Sequence, residues 1–246
     1  MLALTILSPH RDDAAFSLYL ALRYWTRLPI PLRVVNFFTI SEYAPHAAAC
    51  SQRSVSTLRR REDQLVLSSL HRAIRIESLD LLDAPIRLGI SSDDIAKPES
   101  AARQPAAEIS ELAIQINNYF AQGLVLAPLA LGNHVDHLAV HAAAIESSRP
   151  HKLGFYEDLP YATWTSNASL RDRLTEVERS THTGLKPHVV RSAGMGVSQK
   201  YRAITRYKSQ ITRSEALTIA RFASKYRVGE RIWLPKYSAS WRPLIH

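Results

Sequence analysis

Leu2-Ala3-Leu4-Thr5-Ile6-Leu7-Ser8-Pro9-His10-Arg11-Asp12-Asp13 is the stretch that decides the fold. Six apolar or β-compatible residues form a short buried strand, and Ser8-Pro9 ends it, because proline cannot sit inside a central strand. Ala15, Phe16, Leu18, Tyr19, Leu20 and Leu22 then recur with helical spacing over residues 14–23. His10 to Asp13 therefore lie on a strand-to-helix turn. In an open parallel sheet such turns sit at the carboxyl edge, where ligands bind. Helix-start amides favour negative charge there and help keep both aspartates ionised. A capping role explains one aspartate after a strand. It does not explain two adjacent aspartates with a histidine three positions before the second.

A second apolar run, Gly123-Leu124-Val125-Leu126-Ala127-Pro128, is followed by a loop over 129–133 and by His134-Val135-Asp136-His137. Residues 138–145 are apolar and alanine-rich, and read as a helix. His141 shares a helix face with His137 and is taken as an ordinary structural group. Two strand-end clusters give two histidines and a carboxylate for a metal, with a second carboxylate beside them. A metal-assisted hydrolase needs that inventory. Two histidines and one carboxylate also describe a non-haem iron oxygenase site, but that reading leaves the second aspartate without a task.

Further along, residues 34–40 read as a strand and 41–56 as a loop. A basic amphipathic helix follows over 57–74, then a strand at 78–82. Residues 89–105 form a mobile loop, 108–121 a helix and 153–156 a strand. Alternating strands and helices predict a single-domain α/β fold, Rossmann-like, with a mostly parallel doubly wound sheet. One domain spans residues 1–246, with a basic C-terminal extension from about residue 198. Trp233, Tyr237 and Trp241 within that extension are expected to pack. Glu157 and Asp158 suggest a glycosidase pair. Adjacent strand residues point to opposite faces, so both are assigned structural roles.

The residues resemble the PIG-L/LmbE-type de-N-acetylases, zinc hydrolases of N-acetylated sugars. Pro9-His10-Arg11-Asp12-Asp13 is similar to that family's Pro-His-x-Asp-Asp motif, and His134-Val135-Asp136-His137 to its His-x-Asp-His motif. Arg59-Arg60-Arg61-Glu62-Asp63, the segment 82–87, residues 155–161 and Tyr207-x-Ser209-Gln210 extend the resemblance to about residue 210. It implies an LmbE-like fold, with His10, Asp13 and His137 binding the metal and Asp12 as general base. His134 would face the scissile amide, and Asp136 would orient it and favour its protonation. Arg59, Asp83 and Tyr156 would contact substrate. Zn2+ is the implied cofactor, with Fe2+ or another divalent metal as alternatives. The implied substrate is an N-acetylated amino sugar such as an N-acetylglucosamine unit, or a glycoconjugate. Amide hydrolysis on a non-sugar substrate and a non-catalytic binding protein are the alternative functions. Arg11, Ala14 and Val135 depart from the family pattern without touching a ligand position. Some family members carry a tyrosine two residues before the second-motif histidine. Gly132 stands there in this chain, so another group has to supply that help.

Net charge is +9 over 246 residues. It is uneven: residues 171–246 hold sixteen Lys or Arg against five Asp or Glu. An anionic substrate group and a homo-oligomer contact are two uses for such charge. Nucleic acid is not an expected partner, because the basic residues are scattered and no recognition signature accompanies them. No apolar run is long enough to span a membrane, and no signal-peptide pattern opens the chain. Cys50, the single cysteine, excludes an internal disulfide and is expected to be a buried small residue. The default location is cytoplasmic.

Overall fold

The first strand, β1 (Ala3–Ser8), and a later one, β4 (Gly123–Pro128), are buried at every residue. Near-continuous apolar runs are what a parallel strand covered on both faces requires. In the computed structural model, which describes residues 2–48, 51–71, 73–147, 149, 151–194, 196–237 and 239–245, these two strands are neighbours at the centre of one sheet. The others are β2 (Leu32–Ile40), β3 (Arg75–Leu82), β5 (Leu153–Tyr156), β6 (Leu185–Val190) and β7 (Glu230–Pro235). Their order is β3-β2-β1-β4-β5-β7-β6. β1 pairs in parallel with β2 (Leu4 opposite Leu32) and with β4 (Leu4 opposite Leu124). β7 runs antiparallel between β5 and β6. The chain winds outward from β1 to β3, then returns to β4 and continues to the other side. The crevice beyond the carboxyl ends of β1 and β4 is therefore the switch point where an α/β sheet binds ligands.

The helices are α1 (Asp13–Trp25), α2 (Gln52–Leu70), α3 (Ala84–Leu88), α4 (Pro98–Ala101), α5 (Ala106–Gln122), α6 (Val135–Glu146), α7 (Asn167–Thr181), α8 (Val197–Ile204) and α9 (Arg213–Phe222). α2 starts earlier than the apolar period suggests. Ser51 and Ser54 cap it reciprocally, a serine-only capping box that carries no Glu or Gln to announce it. It also ends earlier, at Leu70, so β3 begins at Arg75. The expected loop at 89–105 holds one helical turn, α4, and Ser92 and Ile95 from it border the central crevice. At Gly123 a Cβ would lie 2.0 Å from the Ala3 carbonyl oxygen. Only glycine lets α5 pass directly into a strand paired with β1.

The aromatic expectations divide. Trp241 is buried, with its Nε1 donating to the His151 carbonyl. Trp233 packs within β7 and donates to Glu157. Tyr237 does not pack: it is 93% exposed, because it falls on the turn after β7 instead of within an element. Cys50 lies outside the described residues.

Candidate active site

Ser8, the last residue of β1, builds the first turn. Its hydroxyl donates to the His10 carbonyl (2.6 Å) and accepts from the Ala14 amide (3.1 Å). The His10 amide donates to Asp13 Oδ2 at 2.7 Å. Asp12 sits at the N-cap of α1 but makes no side-chain capping bond, so neither aspartate is spent on a simple cap. On the other side, His134 occupies the N-cap of α6 and His137 its first turn.

The two turns bring three ligand-type side chains together. His10 Nδ1 lies 3.3 Å and His137 Nε2 3.2 Å from the same Asp13 oxygen, Oδ2. One donor atom from each of His10, Asp13 and His137 falls within 4.8 Å of the others, and all three residues are buried. His137 Nε2 has no hydrogen-bond partner although it is buried. Its other nitrogen, Nδ1, is 3.0 Å from Asp158 Oδ2. An orphaned imidazole nitrogen facing a carboxylate, with the opposite nitrogen held by a second carboxylate, is a donor set that could hold a divalent metal. Burial opposes the ionisation of Asp13, yet His137 and His10 hold its carboxyl well below the usual range. Burial likewise opposes protonation of His10, and its bonds to Asp13 and Asp136 lift it to about 9 in the metal-free protein.

His10, His134 and Asp136 also come within reach of one another. That set is already satisfied. The Asp136 carboxylate accepts from the Ala84 amide (2.9 Å) and Arg87 (2.7 Å), and lies 3.0 Å from His10 Nε2. Asp136 thus orients the His10 ring, not that of His134 as expected. His134 is held by the Asp136 backbone instead, whose amide donates to Nδ1 at 3.1 Å. That leaves the ring proton on Nε2. The expected protonation of His134 also fails. Burial, then the positive charge on His10, pushes its pKa well below the ordinary histidine value, and Asp136 is too well neutralised to reverse this.

Asp12 lines the crevice, with Oδ1 3.4 Å from Arg59, whose other nitrogen donates to Ser41 (3.1 Å). Asp83 also lines it and caps α3. Tyr156 does not. It is fully buried and its hydroxyl donates to the Leu7 carbonyl at 2.8 Å, so it ties β5 to β1 and the substrate-contact expectation is withdrawn. His141 is spent on the Pro128 carbonyl (2.8 Å), as an ordinary structural histidine. Glu157 and Asp158 do face opposite ways. Glu157 receives Tyr226, Arg231 and Trp233 from the C-terminal segment, while Asp158 meets His137.

Sequence reasoning missed the work of Asp158, Arg87 and Tyr161. For Asp158 a signal existed: a carboxylate just past a parallel strand end, as at Asp12 and Asp13. The crevice also takes Gln210 and Ile211 from the segment between α8 and α9, and Glu215 from the first turn of α9. That segment is anchored to α2, because Glu62 accepts from the Ser209 amide (2.9 Å) and hydroxyl (2.6 Å).

Comparison with known proteins agrees with this geometry. The family profile described as PIG-L, GlcNAc-PI de-N-acetylase matches residues 5–148, which include both turns. A 2'-N-acetylparomamine deacetylase of Streptomyces fradiae is 33% identical over 209 residues, covering 83% of this chain and 72% of that protein. Among solved structures, the zinc-inhibited form of teicoplanin deacetylase Orf2 superposes with a TM-score of 0.70 at 23% identity, covering 94% of this chain and 97% of that one. N,N'-diacetylchitobiose deacetylase from Pyrococcus horikoshii superposes at 0.56 with 18% identity, covering 95% and 84%. The two structures bear on the fold alone. The profile match and the paromamine deacetylase bear on descent, and with the two ligand turns in place the chain belongs to the PIG-L family.

Proposed function

We propose that this chain is a zinc-dependent N-deacetylase that releases acetate from an N-acetylated amino sugar or a small glycoconjugate carrying one. The observation that supports it most is the buried, unpartnered Nε2 of His137 facing Asp13 beside His10. These three residues would hold the metal. Held there, zinc would supply a lowered water pKa, from ~15.7 to about 7, and polarisation of an acetyl carbonyl.

The chain's own groups divide the remaining work. Asp12, next to the ligand Asp13 and open to the crevice, takes the proton from the attacking water. Arg59 and Ser41 fix Asp12 in place. Once the carbon is tetrahedral, the proton on Asp12 passes to the departing nitrogen. The C–N bond breaks, and acetate and a free amine leave. His134 is neutral with its proton on Nε2, so it serves as a hydrogen-bond donor in the crevice rather than as a cation.

The wall of the crevice also bears on substrate charge. With Asp13 given to the metal and Asp136 neutralised by Arg87, the carboxylates left on its wall are Asp12, Asp83 and Glu215, against the guanidinium of Arg59. The chain's positive charge is carried elsewhere, so a neutral or aminated sugar suits the crevice better than the anionic group expected from net charge. The S. fradiae relative is named for an aminated substrate of that kind. Among the described residues no helix is long and apolar enough to cross a membrane. A cytoplasmic site of action is part of the proposal.

An acetate-release assay over N-acetylated amino sugars, with zinc-loaded and chelator-treated protein, tests it. Release that is lost on chelation, restored by zinc and absent from Asp13→Ala supports the reading. Release from simple amides but not from sugars would favour the non-sugar amidase. Zinc binding without any hydrolysis would favour a binding protein.

A further inference from the structure

We propose that Tyr161 is a catalytic residue of this site, its hydroxyl donating to the oxygen that gathers negative charge as the acetyl carbon becomes tetrahedral. The inference rests on the deacetylase reading and adds a residue to it.

A growing oxyanion in a crevice rich in carboxylates needs preorganised donors. The crevice wall has few to spare. Arg59 is engaged by Asp12 and Ser41. Arg87, outside the lining, is engaged by Asp136, Gln104 and Glu108, and Tyr43, on the lining, is 45% exposed to solvent. His134 offers Nε2 alone, since the Asp136 amide occupies Nδ1. Tyr161 also lines the crevice, and among the described residues its hydroxyl makes no hydrogen bond. The residue is partly exposed and its hydroxyl opens to the crevice, not to a protein acceptor. A donor left free beside two histidines is placed for a group that arrives with the substrate.

The ring is held where that task needs it. It meets His137 edge-on at 5.2 Å between centroids and His134 at 6.2 Å. It opens the 3-10 turn Tyr161–Thr163 just after β5, and the Ala162 amide donates to the Asp158 carbonyl. One turn therefore grips His137 twice: Asp158 binds its Nδ1, and the Tyr161 ring packs on its face. Gly132 makes room for this. A Cβ at residue 132 would lie 2.4 Å from Tyr161 Cδ1 and 2.7 Å from Cγ. Any side chain there would evict the ring, so the glycine on one loop and the tyrosine on another are two halves of one arrangement.

Tyr161→Phe keeps the ring and its packing and removes only the hydroxyl. The expected result is a fall in kcat of about 100-fold, with zinc content unchanged and KM within about 2-fold, since a donor to the transition state alone leaves ground-state binding in place. A phosphonamidate analogue of an N-acetylated sugar, which carries the tetrahedral oxygens, should bind the variant about 100-fold more weakly by calorimetry. A Tyr161→Phe protein with wild-type kcat and wild-type analogue affinity would overturn the catalytic role while leaving the deacetylase reading intact. Lowered zinc content would overturn it in favour of packing. A wild-type protein that neither releases acetate nor binds the analogue would overturn both readings.

Discussion

Asp158 is the residue whose removal tests the metal site most sharply, because it lies outside both ligand motifs. Its side chain is 0% exposed, and Oδ2 is 3.0 Å from His137 Nδ1. Burial pushes its carboxyl up, and the His137 bond and charge pull it back. If His137 Nε2 binds zinc, Nδ1 carries the proton and donates to Asp158, which fixes the tautomer and makes the ring a better ligand. Partners of this kind are typically worth 10–100-fold in metal affinity. Asp158→Asn keeps an oxygen that can accept from Nδ1–H but loses the charge, so zinc affinity should fall about 10-fold, or ~1.4 kcal/mol. Asp158→Ala also strands a buried donor, a cost of about 1–3 kcal/mol, so its loss should approach 100-fold. The assay is competition for zinc against a chromophoric chelator at constant pH, with thermal melts confirming that each variant folds. Wild-type affinity in both variants would refute the argument and remove His137 Nε2 from the ligand set. The graded order, Asn above Ala, separates loss of charge from loss of the bond.

Three further outcomes follow from the same geometry. Asp12→Asn should keep one metal per chain by elemental analysis and lose activity about 100- to 10,000-fold; normal turnover would end the general-base assignment. Turnover of an aminated N-acetyl glycoconjugate should fall with added salt while that of neutral N-acetylglucosamine holds, because the crevice attracts cations; equal salt dependence would contradict the charge argument. Lys200→Met should cost about 3–5 kcal/mol in urea unfolding at pH 8, because it strands Glu230, which meets Lys200 at 2.6 Å in full burial. Burial already raises the Glu230 pKa above its unfolded value, and Lys200 restrains the rise. Without Lys200 the native state binds a proton more tightly than the unfolded chain does. The deficit should therefore be largest above the folded pKa and shrink as pH falls toward the ordinary carboxylate range. A deficit that grows in acid would refute this. A single cooperative transition would also support placing the segment after residue 198 in the same unit as α1, whose Ala21 amide bonds the same glutamate.

The five parallel strands and both histidine-aspartate turns were legible because their signals are contiguous, whereas β6 and the antiparallel β7 were not read from the sequence. Buried strands read as apolar runs, and His10 to Asp13 and His134 to His137 each follow one directly. What was not legible depends on direction within a turn. His134 and Asp136 look like partners in sequence, yet the first turn of α6 sends the Asp136 carboxylate to His10 and leaves only its amide for His134. Tyr156 and Asp158 lie two apart at a strand end. The hydroxyl of the first reaches back to β1 as the second meets the ligand, and no period distinguishes them. Tyr161 could not be placed without knowing that Gly132, in another loop, leaves a gap of its shape. The long pairings, such as Glu62 with Ser209, join residues with no shared local pattern.

The place of β7 has a consequence for how the protein is made. β6, complete at residue 190, has no direct bond to β5; both attach to β7. Synthesis runs from the N-terminus, so β5 keeps an open edge and β6 stays unpaired until residues 230–235 emerge. Unpaired edges are where nascent chains stick to one another. Arg231 and Trp233 on that late strand also hold Glu157, the neighbour of Asp158. Once made, β7 thus closes the sheet and steadies the turn that grips His137. A chain cut short of residue 230 would carry every proposed metal ligand and still be aggregation-prone.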